Sequence, residues 1–249
     1  MIERVDAVIL AGGSGIEEGN PAKSMLPLGS RLMVDYVVDA LKNCQSVENI
    51  VLVGPEELKS YYGPETRCLL ALPGATLLES FMSGVDALET SSPWILVCTG
   101  DIPFLTTEAV DDYLAQCQKQ DVDFYYPIIR KETAERRFPG VRRTYASLRE
   151  GSFTGGNLLL IRREIIQRCL STAEEFVRLR KNPAALARLV GFGMLWKYFL
   201  GQLTIAEAER RVSHLLGVRG TAVISGYPEI GVDVDKPSDL ELARQLVGK

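Results

Sequence analysis

The first half of the chain alternates short apolar runs with longer stretches of helical period. Val5–Ala11, Asn49–Val53, Thr66–Leu72, Trp94–Thr99 and Val122–Ile129 are dominated by apolar side chains. Runs of this length and composition mark strands buried on both faces. Between them, Arg31–Leu41 places Leu32, Val34, Val37, Val38 and Leu41 near helical spacing. Thr76–Leu88 reads as a second helix. Thr106–Lys119 reads as a third, with Val110, Tyr113, Leu114 and Cys117 on one face. GPEELKSYYG, after the second run, is a short helix or loop. Strand–helix alternation predicts an α/β fold with a parallel sheet and right-handed crossovers.

The regularity breaks after Ile129. Arg130–Gly156 is polar and rich in arginine, Asn157–Ile161 is a strand, and Glu164–Leu216 is helical throughout. Ala222–Ser225 and Ile230–Val234 return to strand. Pro237–Leu246 closes the chain as a helix, with Pro237 at its first position. The expectation is one domain over 1–249 with a helical insertion at 164–217. Within the insertion, Leu186–Leu203 is strongly apolar, yet Arg188 and Lys197 leave only eight residues between them. A membrane-spanning helix needs about 20. A packed helix pair is expected there; a homodimer interface or contact with a membrane surface are the alternatives.

Composition narrows the function. Lys plus Arg number 28 and Asp plus Glu 32, a net charge of −4, so no basic footprint for nucleic acid is present. Five cysteines are scattered with no CxxC, which excludes a zinc ribbon and predicts reduced core thiols in a cytoplasmic protein. His214, the single histidine, rules out a histidine-rich metal site and is expected to be structural or exposed. MIERVDAVIL carries acids and runs straight into a strand, so it is not a signal peptide.

The first strand leads into LAGGSGIEEGNPAKSMLPLG. Glycines after a first strand let backbone N–H groups approach phosphate oxygens. A dinucleotide-binding GxGxxG lacks its third glycine here, because Glu18 stands in its place, and Asn20-Pro21 blocks an immediate helix. A P-loop fails because Ala22 precedes Lys23-Ser24 where glycine is required. Asp101 follows an apolar strand, at the sheet edge where α/β proteins bind ligands. Asp233 and Asp235 alternate on one extended segment and so face one side, where one could share a metal with Asp101 and the other cap the closing helix.

LAGGSG with Lys23 and Pro27-Leu28 resembles the nucleotidyltransferase superfamily, whose loop reads LAGGxGxRxG…K…PL. The superfamily includes MobA-like NTP transferases and the sugar-phosphate uridylyl- and cytidylyltransferases. TGDIPFL (99–105), FTGGNLLLI (153–161) and GVDVDKPSDLELA (231–243) are similar to its later motifs, in the same order. The likeness spans nearly the whole chain except about 164–217.

The resemblance implies a three-layer, GT-A-like α/β fold with a mostly parallel sheet. It implies transfer of a nucleoside monophosphate from an NTP to a small, phosphorylated acceptor, with pyrophosphate release. The nucleotide would meet Leu10, Ala11, Gly12, Gly13, Ser14, Gly15, Lys23 and Gly100. Lys23 and Asp101 are the catalytic candidates, and Asp101 and Asp233 the ligands of Mg²⁺. Gly155, Gly156 and Asn157 fall on the acceptor side. Arg142 and Arg143 suit an acceptor phosphate or ordinary surface charge. Base choice is expected to rest near Pro73–Ser80. One departure stands out: the family's loop arginine is missing, and Ile16, Glu17 and Glu18 occupy that stretch. Two other classes follow as alternatives. One is a catalytically weak nucleotide sensor or scaffold of the same fold. The other is a sugar-nucleotide-dependent glycosyltransferase, against which the strand-end Gly100-Asp101-Ile102-Pro103 lacks a D-x-D.

Overall fold

The computed structural model describes residues 2–13, 15–16, 21–62, 68–89, 92–179 and 191–247. β1 (Val5–Leu10) lies between β4 (Val47–Val53) and β6 (Trp94–Thr99), and β5 (Cys68–Ala71) pairs with β4; these pairs are parallel. β7 (Phe124–Arg130) and β11 (Gly220–Ser225) are also parallel to each other. β10 (Leu158–Arg162) joins the two groups, antiparallel to both β6 and β7. β9 (Gly151–Gly155) runs against β7 and carries the short β8 (Ala146–Leu148). The result is a nine-stranded, mostly parallel sheet in which β9 and β10 run counter to the rest. A separate two-residue pair, β2 (Pro27–Leu28) with β3 (Arg31–Leu32), leads into the first helix.

Helices cover both faces, giving the expected three layers. α1 (Met33–Lys42) buries Val34, Val37, Val38 and Leu41 against Ala7, Ile9 and Leu52, and α4 (Thr107–Cys117) adds Val110 and Tyr113 to that cluster. The opposite face packs Phe81 and Val85 of α3 (Leu77–Asp86) and Ile166 and Cys169 of α6 (Ile166–Leu179) on Val8, Val53, Ile95 and Ile161. α2 (Glu57–Tyr61) is a single turn whose Leu58 is buried. Side-chain caps start the helices where the sequence offers them. Thr76 Oγ1 accepts from Glu79 N at 3.1 Å, and Thr106 Oγ1 from Ala109 N at 3.2 Å. All five cysteines are free and buried.

The polar stretch 130–156 contains three elements that its composition hides: α5 (Lys131–Arg137), β8 and β9. α5 is too short and too charged to show a period, and Ala134 is its buried residue. Ile230–Val234 is not a strand. Pro228–Gly231 form a 3₁₀ turn, and the backbone bonds beyond it go to loops: Asn157 N donates to Ile230 O at 2.8 Å and Val234 N to Asp101 O at 2.9 Å. In the insertion, α7 (Phe192–Phe199) is followed by α8 (Ile205–Leu216). The expected packed pair partly falls on 180–190, outside the described residues. α7 itself exposes Phe192, Trp196 and Phe199 at 73%, 68% and 72%, so no described residue covers that face. His214 on α8 is exposed. Among the described residues no helix is long and apolar enough to cross a membrane.

Gly84 sets how closely α3 approaches the sheet. A Cβ there would lie 2.6 Å from Val8 Cγ1 and 2.7 Å from Val53 Cγ2. Both are backbone-anchored β-branched side chains with little freedom to move. Gly84→Val should therefore lift α3 and cost about 1–3 kcal/mol. Urea denaturation checks this; an unchanged midpoint would show that the helix has room to spare.

Candidate active site

The carboxyl ends of β1 and β6 and the connection between β9 and β10 frame a cavity of about 550 Å³. The loop after β1 forms one wall, with Leu10, Ala11, Gly12 and Gly13 lining it. Gly12 passes so close to Pro73 that a Cβ would sit 3.0 Å from the proline Cβ. Ser24 Oγ donates to Ala11 O at 2.6 Å and pins the loop to the 3₁₀ turn Lys23–Met25. That turn delivers Lys23 into the cavity. Across from it, Gly74, Thr76, Leu77 and Ser80 at the start of α3 form the other wall.

Asp101 comes one turn after β6, ahead of the fully buried Ile102. Asp233 lies between Val232 and Val234, which are buried in a cluster with Leu28, Met33, Phe104 and Phe138. Alternation in this extended segment turns Asp233 away from the cluster. The Val234–Asp101 backbone bond ties the two aspartate segments together. Asp101, Asp233 and Asp235 each offer a carboxylate oxygen within 4.8 Å of one another.

Two cations sit among these acids. Lys23 Nζ lies 3.4 Å from Asp101 Oδ2 and donates to Asp235 Oδ1. Arg143 donates to Asp233 Oδ1. Burial depresses the Lys23 ammonium, but the hydrogen bonds and charges of Asp235 and Asp101 outweigh it, and its pKa lies above the ordinary lysine value. Burial lifts the Asp233 carboxyl above its usual range despite Arg143, helped by the neighbouring Asp235 and Asp101. Asp235 is held below that range: burial opposes ionisation, and the Lys23 hydrogen bond and charge overcome it. Asp235 turns to Lys23 and accepts no hydrogen bond from the first turn of the closing helix α9 (Pro237–Val247) among the described residues. Asp239, the third residue of the helix, reaches back instead, its Oδ2 accepting from Asp235 N at 3.2 Å and Lys236 N at 3.0 Å.

The structure thus brings Leu10–Gly13, Lys23, Asp101, Asn157 and Asp233 to one cavity. Ser14 and Glu17–Glu18 lie outside the described residues. Ile16 packs against the Leu28–Phe104–Val232 cluster. Gly15 does not line the cavity, and Gly100 lies behind its wall, where a Cβ would meet Ala11 Cβ at 3.1 Å. Gly155 and Gly156 underlie Asn157, and a Cβ on Gly156 would come within 2.8 Å of Ile230 Cγ2. Arg142 and Arg143 line a second cavity of about 280 Å³, which shares Asp233 and Asp235 with the first and adds Thr154 and Lys236. Sequence reasoning missed Thr99 and Lys236. The pleat pointed to Thr99, two residues before Asp101 on an open strand end.

Three side-chain atoms in the first cavity are buried without a hydrogen-bond partner: Asp101 Oδ1, Thr99 Oγ1 and Asn157 Nδ2. Buried polar atoms are rarely left unpaired. A carboxylate oxygen free of partners, beside two further carboxylates, fits a hard divalent cation with oxygen ligands.

The profile of the MobA-like NTP transferase domain matches residues 7–189. The chain belongs to that family. It is 27% identical over 131 residues to a probable molybdenum cofactor guanylyltransferase of Natranaerobius thermophilus, an alignment covering 52% of this chain and 62% of that protein. It is 25% identical over 113 residues to a 2-C-methyl-D-erythritol 4-phosphate cytidylyltransferase of Chlamydia pneumoniae, covering 45% and 52% respectively. The chain thus spans less than two thirds of the length of these curated relatives. Among solved structures, a hypothetical transferase from Thermus thermophilus superposes with a TM-score of 0.84 at 41% identity, covering 95% of this chain and 99% of that one. A 4-diphosphocytidyl-2C-methyl-D-erythritol synthase from Anaerococcus prevotii shares the fold, with a TM-score of 0.60 at 12% identity, covering 100% and 97%.

If the three carboxylates bind a cation, Mn²⁺ or Mg²⁺ should raise the melting temperature in proportion to the logarithm of its concentration. The stabilisation reaches about 2.7 kcal/mol at 100-fold excess over Kd. Asp101→Ala should abolish the shift. Metal-bound carboxylates must be ionised, so the shift should weaken as pH falls through the raised pKa of Asp233. Thermal denaturation at several pH values checks both; a shift retained in the variant would place the cation elsewhere.

Proposed function

We propose that this nucleotidyltransferase-family protein moves a nucleoside monophosphate from an NTP to a small, anionic acceptor and releases pyrophosphate. The observation that carries the reading is the cluster of Lys23 with Asp101, Asp233 and Asp235 at the sheet edge below the glycine loop. An acceptor oxygen, already ionised on a phosphate at neutral pH, attacks the α-phosphorus in line. The bond from that phosphorus to the bridging oxygen breaks, and pyrophosphate leaves. Such transfers need little covalent chemistry from the protein; positioning and charge stabilisation supply most of the rate.

Backbone N–H groups of the loop after β1 and the Lys23 ammonium hold the triphosphate. Because Ile16 is packed into an apolar cluster, it offers the phosphates nothing, and Lys23, which matches the family's own lysine, meets the triphosphate without the loop arginine. Asp101 and Asp233, with Asp235 beside them, would hold Mg²⁺, which when bound supplies Lewis-acid stabilisation at the phosphoryl oxygens. Arg142, Arg143 and Lys236 in the adjoining cavity fit an acceptor phosphate. Thr99 and Asn157 offer a hydroxyl and an amide to polar groups of the bound substrates. Gly74–Ser80 faces the space left for the base. The chain reads as one catalytic domain with its helical insertion at 164–217, and its free, buried cysteines suit the cytoplasm.

The test is a screen of the four NTPs with Mg²⁺ against phosphorylated sugars, sugar alcohols and cofactor precursors, with pyrophosphate as readout. Acceptor-dependent release is expected, falling at least about 100-fold in Asp101→Ala. Lys23→Met should raise KM for the NTP and lower kcat. NTP binding without release for any acceptor would favour the sensor reading. No NTP binding at all would overturn the assignment of the glycine loop.

A further inference from the structure

The sheet face below the candidate site changes character within two residues. Thr99 and Asn157 stand at its top, with their polar atoms buried and unpartnered. Next on the same face of β6 and β10 come Val97 and Leu159, then Ile161. These side chains floor a cavity of about 220 Å³ between the sheet and helices α3 and α6. Phe81 roofs it from α3, and Ile166, Cys169 and Ala173 from α6; among the described residues no charged or hydroxyl side chain lines it. Leu10 and Leu77 border both this cavity and the candidate site. Leu78 and Leu170 border it on the other side, where a surface groove carries Glu79, Asp86 and Glu174.

Protein interiors leave few voids larger than a water molecule. An apolar cavity of about 150 Å³ stays dry and takes up benzene, so this one is large enough for an aliphatic group. A base or a phosphate cannot use it, because each would lose its hydrogen bonds to water and find none inside. We propose that the cavity receives the hydrocarbon part of the acceptor, which is therefore an amphiphile. Its anionic head pairs with Arg143 where the adjoining cavity meets the site, and its aliphatic chain passes between Leu10 and Leu77. The acids of the outer groove repel a second anionic group, which fixes the direction: the charged end stays at the site and the chain end points out between α3 and α6. The assignment of the chain to an acceptor rests on the transferase reading above.

The test uses the full protein with methyl, butyl, hexyl and octyl phosphate, each titrated calorimetrically below its micellar concentration, and Mg²⁺–NTP binding measured on the same samples. Affinity is expected to rise about three- to fourfold per buried methylene and level off once the cavity is full. Ala173→Phe, which fills the cavity from α6, should lose at least tenfold in octyl phosphate affinity while binding methyl phosphate and Mg²⁺–NTP as before. Should that variant fail to fold, Cys169→Leu provides the same test. Affinity independent of chain length would overturn the proposal, as would a chain-length dependence unchanged in the filled variants. Failure of the wild-type protein to bind Mg²⁺–NTP would sink the transferase reading instead, and with it the identity of the chain as an acceptor's.

Discussion

Three carboxylates within 4.8 Å of one another repel, and the rest of the site exists to hold them there. At an effective dielectric constant near 20, two charges about 4 Å apart interact by about 4 kcal/mol. Lys23 and Arg143 offset that repulsion by pairing with Asp101, Asp235 and Asp233. The arrangement is balanced rather than relaxed. Asp233 stays harder to ionise than a free carboxyl, and Asp101 Oδ1 is left without a partner. A site of this kind gains when a cation enters it.

The acids come from segments more than 130 residues apart, so only the fold can join them. Two features do it. The buried trio Val232, Val234 and Phe104 anchors the Asp233 segment in an apolar cluster, and a backbone bond from Val234 to Asp101 sets the spacing. The glycine loop is fixed from the other side by Ser24 and by the close passage of Gly12 over Pro73. The same cluster absorbs Ile16, so the departure from the family's loop has a structural use: the side chain stabilises the loop base instead of meeting phosphate.

The two faces of the sheet serve different ends. On the α1–α4 side the core is continuous, from Val5 through Tyr113 to Leu160. On the α3–α6 side a void remains beside the site, bounded by Leu10 and Leu77. Gly84 seats α3 tightly at Val8 and Val53, so the void does not come from loose packing of α3 as a whole.

Much of this was legible in the chain itself. Continuous apolar runs of five or six residues specify buried strands by burial alone, and Thr76 and Thr106 mark helix starts by local hydrogen bonding. The glycine loop and Asp101 stood out because their chemistry is local to a strand end, and Lys23 through the resemblance to the family's loop. The sequence did not reveal β8, β9 and α5, since short polar elements take their conformation from neighbours rather than from period. Nor did it show that Asp235 pairs with Lys23, or that Thr99 and Asn157 each leave a buried polar atom unpaired. Those facts depend on which groups lie within about 3 Å across the fold, and such contacts are decided by tertiary packing, where residues far apart in the chain compete for the same hydrogen bonds.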